Sequence, residues 1–150
     1  MSFVETEING QIITIRLNRP ERLNALSTVI RTGMAEAFNR FHESELRLRG
    51  AKLLMTDVLE RLFAASADQE APIALQAEAR AASVLCTDEA IVIVNTLFRY
   101  AGGSAVMLDD PMQRILRDLY TAQSHLMVSD AAYEALGKLR LGLTNNAPLR

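Results

Sequence analysis

Asp109-Asp110-Pro111-Met112-Gln113-Arg114-Ile115-Leu116-Arg117-Asp118 carries a helix start and the first turns of an amphipathic helix in one run. A carboxylate before proline is start chemistry. The side-chain oxygen accepts from the orphan amides of the first turn, and proline at the first helical position forfeits no hydrogen bond. The pattern predicts a helix over about 111–128. At about 100° per residue, Met112, Ile115, Leu116, Leu119, Ala122 and Leu126 fall on one side. Arg114, Arg117, Asp118, Thr121 and His125 fall within a narrow arc on the other. One face packs, and the other is either a solvated surface laced by an Arg114–Asp118 pair or a binding surface with a titratable imidazole.

Working outward, Ile30, Met34, Phe38 and Phe41 recur at helical spacing after Ser27 and Thr28, which predicts a first helix. A second is predicted over about 46–65, with Ala51, Leu54, Met55, Val58, Leu59 and Leu62 as its stripe. Residues 66–70 read as a polar connection, and Pro72 suits the opening of a third helix that continues to Tyr100, where Gly102 and Gly103 stop it. A last helix over about 131–141 is closed by Gly142, and 144–150 read as a tail. At the other end, Phe3–Ile8 and Gln11–Leu17 are strand candidates around an Asn9-Gly10 turn. Ile13, Ile15 and Leu17 alternate with polar residues, and Pro20 ends the second strand. The expected fold class is mainly α: an N-terminal β hairpin followed by an incomplete four-helix-bundle-like domain.

A chain of 150 residues with 49% hydrophobic and 23% charged side chains has the composition of one globular domain. Sixteen basic against 18 acidic residues leave a net charge of -2, so no basic field points to nucleic acid. Cys86 has no second cysteine to pair with, and no charged-then-apolar leader precedes Phe3, so a reducing, cytoplasmic setting is expected. The longest uninterrupted apolar run, Ala90 to Val94, is stopped by Asn95, so no membrane span is expected.

His42 and His125 are the only histidines, and neither has ligand partners at metal-binding spacing, so no metal site is expected. His42, near the end of the first predicted helix, suits the helix macrodipole. Cys86, among Ala82, Val84 and Leu85, reads as a buried, inert thiol. Arg99-Tyr100-Ala101-Gly102-Gly103-Ser104 places two glycines and a hydroxyl beside a cation. Such a turn lets a phosphate approach the backbone, and it is equally ordinary helix-stop chemistry.

Two families are suggested by different parts of the chain. Thr14-Ile15-Arg16-Leu17-Asn18-Arg19-Pro20-Glu21-Arg22-Leu23-Asn24-Ala25-Leu26-Ser27, within a segment covering residues 1–44, resembles the opening of the enoyl-CoA hydratase/isomerase (crotonase) family. That resemblance stops before the family's oxyanion-hole amides and acidic catalytic residues, leaving at most a CoA-contact loop around Arg22 to Ala25.

Residues 45–150, chiefly up to Leu143, resemble the C-terminal helical domain of the acyl-CoA dehydrogenase superfamily. The resemblance is carried by Leu97-Phe98-Arg99-Tyr100-Ala101-Gly102-Gly103-Ser104-Ala105, by Pro111 to Asp118, and by His125. The dehydrogenase branch commonly has a Glu base where this chain reads Ser124-His125-Leu126. A histidine there resembles the reduced-flavin-dependent monooxygenases of the same fold, in which it stabilises the flavin peroxide or helps deprotonate the substrate. The resemblance implies His125 as the catalytic residue and Arg99, Gly102 and Gly103 as contacts to reduced flavin, FMN or FAD, of an adjoining subunit. It implies a homo-oligomer, a separate flavin reductase as possible partner, and neither nucleic acid nor membrane. The superfamily's N-terminal helical and middle β domains have no counterpart here, so little turnover is expected of this chain alone. The competing readings are a non-catalytic helical association module and a crotonase-type CoA-binding fragment.

Overall fold

Two short strands come first because β-branched residues alternate with polar ones over Val4–Asn9 and Ile12–Leu17. In the computed structural model, which describes residues 3–9, 12–67 and 69–144, these strands (β1 and β2) pair antiparallel from Val4 opposite Leu17 to Asn9 opposite Ile12. Asn9 is therefore the last rung of the ladder, not part of the turn. The connection falls on residues 10 and 11, and this half of the expected turn lies outside the described residues, as do the Ser104 side chain and residues 145–150. A short 3-10 turn, Pro20–Arg22, follows. Four helices complete the order: α1 (Thr28–Ala65), α2 (Ile73–Phe98), α3 (Pro111–Gln123) and α4 (Ala131–Arg140), with a second 3-10 turn at Gly103–Val106. The architecture is mainly α behind an N-terminal hairpin, as expected.

Three expectations about the helices are corrected. The first and second predicted helices are one helix of 38 residues. Nothing between Phe41 and Leu46 breaks it: there is no proline or glycine, and Glu43 bonds Arg40 at 3.1 Å and Arg47 at 3.2 Å across the presumed junction. Both guanidinium groups hold the Glu43 carboxyl below its ordinary value of 4.5. His42 consequently sits in mid-helix, 3.6 Å from Glu45, and has no helix terminus to complement. Finally, α3 stops at Gln123 rather than running to residue 128.

The other boundaries follow their signals. Asp110 Oδ1 accepts from the Met112 amide at 2.8 Å, capping α3. At the end of α4 the Leu143 amide bonds the Lys138 carbonyl at 2.9 Å and the Gly142 amide the Leu139 carbonyl at 3.1 Å, with Gly142 at φ +69°. This is the double bond of a glycine-ended helix.

The chain divides into two compact units, Met1–Arg47 with Val92–Arg117, and Leu48–Ile91 with Asp118–Arg150. In the first, Ile30 is fully buried, and the hairpin approaches α1 at Gly33, where a Cβ would stand 3.0 Å from Val4 Cγ2. The Phe41 and Tyr100 rings meet in a tilted pair 5.4 Å apart. Thr6 Oγ1 donates to the Tyr100 carbonyl at 2.7 Å.

In the second unit α2 packs on two sides. Val58 of α1, with Leu54, Met55 and Leu62, meets Ala79 and Ala82, while Ala81 and Val84 meet Ala132, Leu136 and Val128. Small residues on α2 let its neighbours come close, and Arg61 joins α1 to α2 through Glu78 at 2.8 Å. By length and composition alone α2 is long and apolar enough to cross a bilayer, a test that the core helix of a globular domain also passes, and the longest uninterrupted apolar run did not show it. It nonetheless carries a polar middle, where Asp88 accepts from Gln123 Nε2 at 3.1 Å.

Candidate functional site

The Gly-Gly turn is built by the way α2 ends. After Phe98 the Tyr100 amide bonds back to Leu97 at 2.9 Å and the Ala101 amide to Phe98 at 3.3 Å, and Gly102 then turns the chain at φ +84°. The Ala105 amide returns to the Gly102 carbonyl at 3.3 Å, and Ala105 is fully buried, which anchors the far side of the turn. Of the two glycines of this turn, Gly102 has the left-handed backbone that favours glycine. Gly103 does not, and a Cβ there would meet nothing within 4 Å.

This turn forms one wall of a cleft of about 360 Å³, lined by Ala101, Gly102 and Gly103 and, from the hairpin, by Glu5, Thr6, Glu7, Thr14 and Arg16. The approach is close, since a Cβ on Gly102 would lie 3.9 Å from the Thr6 carbonyl oxygen. Arg16 reaches both carboxylates, at 4.0 Å from Glu5 and 3.8 Å from Glu7, and Glu5 also accepts from Asn18 Nδ2. One guanidinium faces two carboxylates, so the hairpin wall is net negative. Arg99, on the turn after α2, is exposed and is not among the cleft's lining residues.

The structure thus brings Gly102 and Gly103 together with the hairpin. Sequence reasoning missed Glu5, Glu7, Thr14 and Arg16 as site residues. Their signal was available, because the alternation of both strands puts Glu5 opposite Arg16 and Glu7 opposite Thr14 once the turn is placed.

His125 belongs to the second unit, whereas Arg99, Gly102 and Gly103 belong to the first. It lies beyond the end of α3 in a turn, so it does not continue the helical arc of Arg114, Arg117, Asp118 and Thr121. Its amide bonds Ala122 at 3.1 Å, and its carbonyl accepts from Val128 at 2.8 Å. The Met127 amide donates to its Nδ1 at 3.2 Å, so this nitrogen serves as an acceptor within the turn. The ring is exposed. Cys86 is half-buried rather than buried: its thiol donates to the Ala51 carbonyl at 3.3 Å, and partial burial, with the charge of Glu89, raises its pKa from the ordinary 9.0. Among the described residues no group of three or more His, Cys, Asp or Glu side chains is placed to hold a metal.

The chain is 27% identical over 131 residues to a pigment production hydroxylase of Rhodococcus erythropolis, an alignment covering 86% of the chain and 33% of that protein. Its fold superimposes on the HsaA monooxygenase from M. tuberculosis with a TM-score of 0.66 at 26% identity, over 74% of this chain and 29% of that one. The chain therefore spans about a third of the length of the relatives it matches. The sequence model described as acyl-CoA dehydrogenase, C-terminal domain, matches residues 28–130, from the start of α1 through α3 to Asp130. With that match covering more than half of its length, the chain belongs to the acyl-CoA dehydrogenase C-terminal domain family.

Proposed function

We propose that the chain is a fragment related to a reduced-flavin monooxygenase of the acyl-CoA dehydrogenase fold, with no significant turnover of its own. The observation that carries this reading is the pair of relatives, a hydroxylase and a monooxygenase, matched over only a third of their length. By the resemblance to that monooxygenase branch, His125 is the proton-handling residue, and Arg99, Gly102 and Gly103 form a flavin-facing turn. A bound flavin supplies the reducing equivalents and the oxygen chemistry, and the protein's task is to hold it and exclude water.

The residues present do not fit the whole cofactor. The cleft beside Gly102 and Gly103 has a net negative wall, which opposes a flavin phosphate, and Arg99 does not line it. His125 keeps Nδ1 on the Met127 amide and presents its ring to water, and among the described residues no partner holds Nε2 for positioning a substrate proton. Catalysis depends on such positioning, which a solvent-exposed imidazole lacks.

Oxygen uptake with reduced flavin tests the proposal. The expected rate equals that of reduced flavin without protein, whatever substrate is added. A protein-dependent, substrate-dependent rate that disappears in His125→Ala overturns the inactive-fragment reading.

A second reading, a non-catalytic association module, is favoured by the exposure of large apolar side chains. Phe63 is 84% exposed, Leu126 81% and Leu108 78%. Both readings share a homo-oligomer without nucleic acid or membrane in a cytoplasmic setting. The first adds a separate flavin reductase. The crotonase-like reading of residues 1–44 rests on its Ile12 to Phe41 motif alone, of which the part from residue 28 on falls within the acyl-CoA dehydrogenase C-terminal domain match; the rest includes the loop over residues 19–25. There Asn24 Oδ1 accepts from the Arg19 amide at 2.6 Å, and Leu23 and Asn24 take φ of 50° and 53°. Domain division near residue 44 belongs to that reading.

A further inference from the structure

The hairpin wall of the cleft is a charge pattern set by strand register. Glu5 and Glu7 lie two residues apart on β1, and Arg16 and Thr14 stand opposite them on β2, so all four side chains share one face. Arg16 Nη1 is 4.0 Å from Glu5 and Nη2 is 3.8 Å from Glu7, leaving one negative charge uncompensated. The opposite wall is the exposed Gly102-Gly103 backbone, the chemistry that otherwise welcomes an anion. Thr6, between the two carboxylates in sequence, donates to the Tyr100 carbonyl and fixes the hairpin against the turn.

We propose that Glu5 and Glu7 are specificity-determining residues of this cleft: they hold phosphate-bearing ligands off the Gly102-Gly103 turn and admit phosphate-free ones. The charge argument stands on the hairpin geometry alone, and only the choice of riboflavin over its phosphate rests on the proposed function. A phosphate beside the glycines faces two carboxylates and one guanidinium. Removing both carboxylates turns the wall from net negative to net positive. In a wet, partly screened cleft, that reversal is worth about tenfold in affinity for a phosphate.

The test is a titration of the uniformly labelled full chain with inorganic phosphate at constant ionic strength, followed on the Gly102 and Gly103 amide resonances. The wild type is expected to show no saturable shift up to about 20 mM phosphate. Glu5→Gln/Glu7→Gln is expected to show a saturable shift at both glycines, with affinity at least about tenfold tighter. Arg16→Gln, which makes the wall more negative, is expected to show none. Glu7→Gln alone, at the more exposed position, keeps the hairpin's inner pairing and is expected to fall between the wild type and the double variant. Circular dichroism confirms that each variant is folded. A saturable shift in the wild type equal to that of the double variant overturns the proposal, as does no shift in the folded double variant. Riboflavin, carrying no phosphate, is run beside it: equal response in wild type and double variant supports the charge proposal. Its failure to bind either protein counts against the flavin reading and leaves the phosphate comparison intact.

Discussion

Thr6 Oγ1 and the Tyr100 carbonyl, 94 residues apart in sequence, share a hydrogen bond of 2.7 Å. It ties β1 to the turn that ends α2, at a carbonyl the helix itself no longer uses. Everything distinctive about the candidate site follows from that tie. A Cβ on Gly102 would meet the Thr6 carbonyl oxygen at 3.9 Å, the cleft opens between turn and hairpin, and the charged face of the hairpin is one of its walls.

Gly102 and Gly103 are expected to differ sharply in tolerance. Gly102→Ala places a Cβ on a left-handed backbone and is expected to lower stability by about 1–2 kcal/mol, whereas Gly103→Ala, with open space around it, should change it by less than about 0.5 kcal/mol. Urea unfolding of the two variants checks this. Equal losses would mean that backbone strain is not what selects glycine here.

Val58 is fully buried between α1 and α2, against Ala79 and Ala82. Val58→Ala is expected to cost about 2 kcal/mol through lost burial and the cavity left behind. By contrast, Phe63→Ala, at a side chain 84% exposed, should leave the monomeric fold nearly unchanged. Thermal melts of both variants decide it, and a loss at Phe63 as large as that at Val58 would contradict the assignment of the core.

Acid sensitivity follows from Glu78. Its hydrogen bond to Arg61 holds the carboxyl below its ordinary value of 4.5, against a smaller opposing effect of burial. A depressed folded-state value contributes stability above the ordinary value and loses it as pH falls through the folded one. Between about pH 6 and pH 3.5 the wild-type melting temperature should therefore fall further than that of Glu78→Gln, by about 2 °C. Above pH 6 the difference should be flat. Parallel curves across the acid range would show that the Arg61–Glu78 pair adds nothing to stability.

Assembly is expected to cover part of the exposed apolar surface. Leu108, Leu126 and Phe63 are each more than three-quarters exposed, and Ile12 and Ile13 leave the outer end of the hairpin uncovered. We expect a dimer or larger species in static light scattering at micromolar concentration. A mass of 16.6 kDa at every concentration would contradict both the association reading and a subunit-boundary flavin surface.

Much of this fold was legible because local signals were strong. Asp110-Pro111 started α3, Gly142 ended α4, and alternation marked both strands. The continuous α1 was not legible, since two apolar stripes with a polar stretch between them read as two helices, while the bonds from Glu43 to Arg40 and Arg47 reinforce one. The position of His125 was missed for the opposite reason. Helical periodicity carries on through Leu126, but the Ser124 amide makes the last helical bond, to Tyr120 at 3.1 Å, and the His125 amide leaves the ladder by bonding Ala122 at 3.1 Å. The cleft itself needed a contact across 94 residues, which no local pattern encodes.

The central claim is that the Gly102 turn is an inherited flavin surface in a chain of this family. Titration of riboflavin with the full chain, read by quenching of flavin fluorescence, tests it most directly. The account predicts weak, saturable binding with a dissociation constant on the order of 0.1 to 1 mM, weakened further in folded Gly102→Val. Quenching that never saturates, or a folded Gly102→Val that binds as the wild type does, would contradict it and leave the association module as the better account.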